Sequence, residues 1–161
     1  MEKLDKIVKM LKEKNKYVST MESCTGGGLV NAITNIPGAS EILKFSAVTY
    51  SNEFKIKMGV PKETIDTYSV YSMETAIDMS KKISEFTNSN YGIGITGKLN
   101  RKDINNLAGD DNVVYFSIYN KDTNTNYNDS IRVSKSSREA NKDEVITKIV
   151  NKFYEILKKE D

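Results

Sequence analysis

A chain of 161 residues fits one domain, residues 1–161, large enough to bury about two-thirds of its unfolded surface. With 38% apolar and 29% charged residues it is too apolar to be disordered, and a net charge of +2, with cations scattered among 22 acidic residues, offers no basic face for nucleic acid. One cysteine excludes an internal disulfide framework, and the complete lack of histidine excludes the Ser-His-Asp triad, Cys-His pairs and histidine-based zinc sites.

The first residues carry Leu4, Ile7, Val8 and Leu11 at helical spacing, which predicts an amphipathic helix over residues 2–14 rather than the continuous apolar stretch of a signal peptide. No apolar run approaches the ~18 residues of a membrane span, so a cytoplasmic chain with no membrane partner is expected. Tyr17 to Met21 reads as a strand. Gly26-Gly27-Gly28 then leads into a helix over Leu29–Ile33 that ends before Pro37-Gly38.

A second strand is expected over Lys44–Tyr50, a short helix over Asn52–Met58, and another from Pro61, a residue suited to a first helical turn. Ala76, Met79, Ile83 and Phe86 mark the buried face of a helix over Met73–Phe86, and Tyr91–Thr96 reads as a strand whose two glycines imply close packing. A polar stretch from Lys98 to Asn112 reads as a loop. Val113–Tyr119 and Tyr127–Val133, joined by the Asn/Asp/Thr-rich segment Asn120–Asn126, predict an antiparallel hairpin. Val145, Ile149, Phe153 and Ile156 place an amphipathic helix at the end. The order predicts an α/β fold: a three-layer α/β/α sandwich with a mostly parallel or mixed five-stranded sheet.

Such folds carry their sites at the carboxyl ends of strands, where Glu22-Ser23-Cys24-Thr25-Gly26-Gly27 lies. Glycines there let a backbone approach a ligand, and the unpaired amides of a first helical turn attract phosphate or a developing oxyanion. Ser23 suits a nucleophile, but from these residues alone Ser23 and Thr25 better suit a helix cap. Cys24 suits a small buried residue better than a nucleophile. The turn lacks the lysine and the spacing of a P-loop, which disfavours phosphotransfer. Without histidine, any base must be lysine, tyrosine, carboxylate or a metal-bound group.

Glu22-Ser23-Cys24-Thr25-Gly26-Gly27, Pro37-Gly38-Ala39-Ser40, Val48-Thr49-Tyr50-Ser51-Asn52-Glu53 with Lys55, and Met58-Gly59-Val60 resemble, in order and spacing, successive signature blocks of the CinA C-terminal domain family, which includes bacterial nicotinamide-nucleotide amidohydrolases. Val70–Ser72 and Ser137-Arg138 resemble two later blocks. The resemblance implies hydrolysis of the carboxamide of nicotinamide mononucleotide to nicotinic acid mononucleotide and ammonia. It casts Ser23 as nucleophile, Lys55 as general base and Tyr50 as proton relay or orienting group. Thr25, Gly26, Gly27, Asn52, Thr96, Gly97 and Arg138 become substrate contacts, with Arg138 the phosphate or partner-contacting cation. No metal or cofactor is implied, the partner is a small-molecule nucleotide, and a homo-oligomer, most simply a dimer, is expected.

Lys55 would then stand in the first turn of its helix, where the dipole disfavours an ammonium, and amides near Gly26 and Gly27 would hold the oxyanion. The sequence departs from the family in three places. Lys98-Leu99-Asn100 follows Gly97 where the family has Ile-Ala-Gly-Pro, Tyr68-Ser69 replaces His-Gly, and Ser136-Ser137 replaces Gly-Asp before Arg138. The alternative is a non-catalytic nucleotide- or metabolite-binding relative of the same fold.

Overall fold

A computed structural model describes residues 2–99 and 111–160. Their elements in chain order are α1 (Glu2–Glu13), β1 (Val18–Glu22), α2 (Gly28–Thr34), a 3-10 turn (Ala39–Glu41), β2 (Ala47–Val48), α3 (Asn52–Lys57), α4 (Lys62–Tyr68), α5 (Met73–Thr87), β3 (Tyr91–Gly97), β4 (Val113–Asn120), β5 (Thr125–Arg132) and α6 (Arg138–Lys159). The sheet has five strands in the order β2-β1-β3-β4-β5. β2, β1 and β3 are parallel, and β3, β4 and β5 are antiparallel neighbours, so the sheet is mixed and the expected hairpin is present.

Each face of the sheet has its own apolar layer. On one, Leu4, Ile7, Val8 and Leu11 of α1, Leu29 and Ile33 of α2 and Val145, Ile149 and Phe153 of α6 meet Val18, Ile93, Ile95, Phe116 and Ile118. On the other, Met79 and Ile83 of α5 and Ile65 of α4 meet Met21. α5 sits close against β3, because Gly92 and Gly94 carry no side chain. A Cβ on Gly92 would lie 2.1 Å from the Ser80 carbonyl oxygen, and one on Gly94 2.3 Å from that of Ala76.

Three expectations need correction. β2 is two residues long rather than seven, because β1 offers it only the pairs Met21↔Ala47 and Glu22↔Val48. Phe86 lies outside the buried face of α5, 64% exposed, with its ring 5.5 Å from that of Phe45. Pro61 caps α4 from just outside its first turn. Of the loop expected over Lys98–Asn112, residues 100–110 lie outside the described residues. Among the described residues, no helix is long and apolar enough to cross a membrane.

Candidate active site

β1 ends at Glu22, and the chain turns through Ser23–Gly27 into α2. The turn depends on its glycines: Gly26 has φ +61° and Gly27 +92°, a region that costs other residues free energy. Glu22 organises it. One of its carboxylate oxygens accepts the Thr25 hydroxyl at 2.7 Å and the Leu29 amide at 3.0 Å; the other accepts the Thr20 hydroxyl at 2.9 Å and the Val30 amide at 2.8 Å. The buried carboxylate therefore fills the anion-attracting end of α2 with an anion of the protein's own.

This corrects two expectations. Neither Ser23 nor Thr25 caps α2: Gly27 is the N-cap residue, without a side-chain bond, and Glu22 supplies the acceptor. The first-turn amides are not all open to an oxyanion. Gly26 donates to the Ser23 carbonyl at 2.9 Å and Gly28 to that of Thr25 at 3.0 Å.

Ser23 is nearly buried, fixed by its amide to the Ile95 carbonyl of β3 at 3.1 Å. Lys55 reaches it from α3, a helix opened by Ser51, whose hydroxyl accepts the Phe54 amide at 3.1 Å. Lys55 Nζ lies 3.0 Å from Ser23 Oγ and donates to the Thr49 carbonyl at 2.8 Å. The lysine is 1% exposed. It occupies the fourth position of a six-residue helix with its amide bonded to the Ser51 carbonyl, so its isolation comes from burial rather than from a first-turn dipole. Thr49 is buried, and among the described residues its hydroxyl has no hydrogen-bond partner.

Tyr50 stands apart from this pair. It is 66% exposed, and its hydroxyl accepts a long 3.5 Å bond from Arg138 of α6. The same guanidinium donates to the Leu99 carbonyl, joining the segment beyond β3 to the Tyr50 side of the site. Asn52 is half-buried at the start of α3. Thr96 and Gly97 are buried in β3: the Thr96 hydroxyl donates to the Val70 carbonyl at 2.9 Å, and a Cβ on Gly97 would lie 2.5 Å from the Val113 carbonyl oxygen. Thr25 and Thr96 thus spend their hydroxyls within the protein. Burial pushes the Cys24 thiol up to about 12, against the pull of Lys55 in its protonated form and of Arg138, so it stays protonated and a poor nucleophile.

Lys98 is buried over the Tyr71 ring, its Nζ 4.8 Å from the ring centre and 3.6 Å from Asp111. Ser69 has a glycine-like backbone at φ +79° and ψ 154°. Among the described residues no group of three or more potential metal ligands gathers. Sequence reasoning missed Glu22 as organiser and the Thr49 carbonyl as the second partner of Lys55. Glu22 was visible only as the first letter of its motif, because its amide partners lie seven and eight residues on.

The sequence profile of the CinA C-terminal domain matches residues 1–159. A protein of Clostridium acetobutylicum, provisionally named competence-damage inducible, is 47% identical over 89 residues, which is 55% of this chain and 22% of that protein. A CinA-like protein of Endomicrobium trichonymphae is 44% identical over 90 residues, 55% of this chain and 21% of its own length. The matches thus span under a quarter of these longer relatives. Among solved structures, a competence-damaged protein (CinA) superfamily protein from Klebsiella pneumoniae shares the fold, with TM-score 0.88 at 22% identity over 97% of this chain and 96% of that one. The competence/damage inducible protein CihA from Agrobacterium tumefaciens has TM-score 0.80 at 26% identity, over 97% and 92%.

Proposed function

This chain belongs to the CinA C-terminal domain family, and on that premise we propose that it hydrolyses the carboxamide of nicotinamide mononucleotide to nicotinic acid mononucleotide and ammonia. The observation that carries the reading is the 3.0 Å separation of Ser23 Oγ and Lys55 Nζ, with the lysine sealed from water, in a chain without histidine. A serine needs an adjacent base to act as a nucleophile, and a lysine serves as that base when uncharged. Burial favours the uncharged amine, because desolvation penalises an ammonium.

In the proposed reaction Ser23 Oγ bonds to the carboxamide carbon, its proton passes to Lys55 Nζ, and the carbonyl π pair moves onto oxygen. Among the described residues the amides of Thr25 and Gly27 donate to no other group of the protein and are the candidate oxyanion donors. Collapse breaks the carbon–nitrogen bond, and Lys55 returns its proton to the leaving nitrogen, which departs as ammonia. Water then attacks the acyl ester and loses a proton to Lys55, the bond from the acyl carbon to Ser23 Oγ breaks, and Lys55 returns that proton to Ser23 Oγ as nicotinic acid mononucleotide leaves. The Thr49 carbonyl holds the amine on line throughout.

Tyr50 favours a second reading. Its hydroxyl faces Arg138 rather than Ser23 or Lys55, an arrangement that suits a relative that binds nucleotide without turning it over. Ammonia release from nicotinamide mononucleotide by the wild-type protein and by Ser23→Ala decides between them. The amidohydrolase reading expects release by the first and almost none by the second; saturable binding with no release by either favours the second reading.

A further inference from the structure

The carbonyl that holds Lys55 belongs to a residue with a second oxygen. Thr49 follows β2 and is fixed along its backbone on both sides: its amide donates to the Glu22 carbonyl at 2.8 Å, and its carbonyl accepts from Lys55 Nζ at 2.8 Å. Thr49 is 1% exposed, and among the described residues its hydroxyl has no hydrogen-bond partner. The other buried threonines of the described residues all commit theirs: Thr20 and Thr25 to Glu22, Thr75 to the Ser69 carbonyl and Thr96 to the Val70 carbonyl. Valine would fill nearly the same space without burying an unsatisfied hydroxyl, so this hydroxyl costs the resting protein stability that its apolar isostere would not.

The hydroxyl oxygen is sealed from solvent, so the partner it serves is a group of the protein. Lys55 is the group that changes during the reaction. An amine has two N–H donors and a lone pair, whereas an ammonium has three donors and no acceptor. Thr49 already holds Nζ through its carbonyl, and side-chain rotation alone brings its hydroxyl to the same nitrogen. The charged and titratable groups on the surrounding elements are engaged with other partners. Glu22 of β1 has both oxygens on α2 and two threonines, and Cys24 beside Ser23 keeps its thiol proton. Tyr50 faces Arg138 of α6, Lys98 at the end of β3 lies against Tyr71 and Asp111, and Glu53 and Lys57 of α3 pair with each other. We infer that Thr49 is a positioning residue for the base: its hydroxyl accepts a hydrogen bond from Lys55 Nζ while that nitrogen carries the proton taken from Ser23, and steadies the ammonium until the proton is passed on. Thr49 itself gains and loses no proton. The part played by the base rests on the amidohydrolase reading; the pairing of hydroxyl and ammonium does not.

The test follows the titration of Lys55 by NMR in protein carrying carbon-13 at the lysine Cε, with the Lys55 signal identified by its loss in Lys55→Arg. In Thr49→Val the midpoint falls by about one pH unit or more, the scale of a hydrogen bond to a charged group, because the ammonium loses an acceptor and the amine does not. Thr49→Ser keeps the wild-type midpoint, and urea titration finds Thr49→Val at least as stable as the wild type. If the valine variant fails to fold, Thr49→Ala makes the same comparison. An unchanged or raised midpoint without the hydroxyl, or a serine variant that falls as far as valine, overturns the inference. With nicotinamide mononucleotide as substrate, the acidic limb of kcat/KM in Thr49→Val moves to lower pH by the same interval. A midpoint that falls while the limb stays still removes Lys55 from the role of base and upholds the pairing. A wild type without turnover fails the amidohydrolase reading, and the titration alone then upholds or overturns the inference.

Discussion

Lys55 Nζ stands 3.0 Å from Ser23 Oγ although 32 residues separate the two in the chain. The contact has a chemical meaning only if the amine can take a proton. Lys55→Arg keeps the charge and most of the length, but a guanidinium stays protonated at any working pH. Turnover of nicotinamide mononucleotide should fall about 100-fold or more, the scale of a removed general base, with a much smaller change in nucleotide affinity. Steady-state kinetics beside calorimetric binding measures both, and a weakened affinity at unchanged kcat would make Lys55 a binding cation instead.

Glu22 holds two amides and two hydroxyls from within the core. Glu22→Ala leaves all four without an acceptor and should lower the unfolding free energy by about 3–5 kcal/mol, the scale of a broken buried charge network. Glu22→Gln keeps the shape but turns one acceptor into a donor facing donors, and should fall between. Urea titrations of the three proteins measure the order.

At Ser69 the backbone sits in a region suited to glycine, while the hydroxyl accepts the Tyr71 amide at 3.1 Å. Ser69→Gly and Ser69→Ala both lose that bond, so the difference between them isolates the backbone. The glycine variant should be the more stable by about 1–2 kcal/mol, since the alanine keeps the strain. Equal melting temperatures would show that Ser69 carries no strain.

Cys24 couples stability to alkaline pH. Its thiol is raised from 9.0 to about 12 by burial, so between those values the folded protein holds a proton that the unfolded chain has lost. Stability from this group is complete below about 9 and declines as pH rises toward 12. Tyr91, raised by burial and by Glu160, acts in the same direction, so the informative measurement is a difference. Cys24→Ala should show a shallower loss of unfolding free energy than the wild type across that window.

Gly92→Ala tests the close seat of α5 on β3. The new methyl would meet the Ser80 carbonyl, a backbone group that cannot rotate away. A loss of about 3 kcal/mol or more is expected in thermal unfolding, at the upper end of overpacking costs. A fully stable variant would mean that α5 can lift from the sheet at little cost.

Much of the architecture was legible because burial and periodicity agree. Leu4, Ile7, Val8 and Leu11 are all buried on α1, and the glycines of β3 do mark a close approach. β2 misled because a run of strand-forming residues does not reveal how many partners the neighbouring strand has left to offer. Phe86 misled for a related reason: helical spacing identifies a stripe without saying how far the packing partner extends, and Phe86 is exposed, its ring against Phe45. In the site, the Ser23–Lys55 pairing followed from motif resemblance and could not have come from spacing, since it depends on how β1 and α3 meet. Glu22 was hidden because a carboxylate at a strand end looks like a ligand-facing group until its acceptor atoms are counted against α2.

That carboxylate also restricts what this scaffold can become. In many α/β proteins the first helix after a central strand is open to phosphate, and the glycines here resemble such a cradle. With Glu22 on the Leu29 and Val30 amides, a phosphate brought to those amides would face like charge, so mutating the loop alone cannot convert them into a phosphate clamp. The position must first lose its acid, and with it the four hydrogen bonds that tie the turn to α2 and β1.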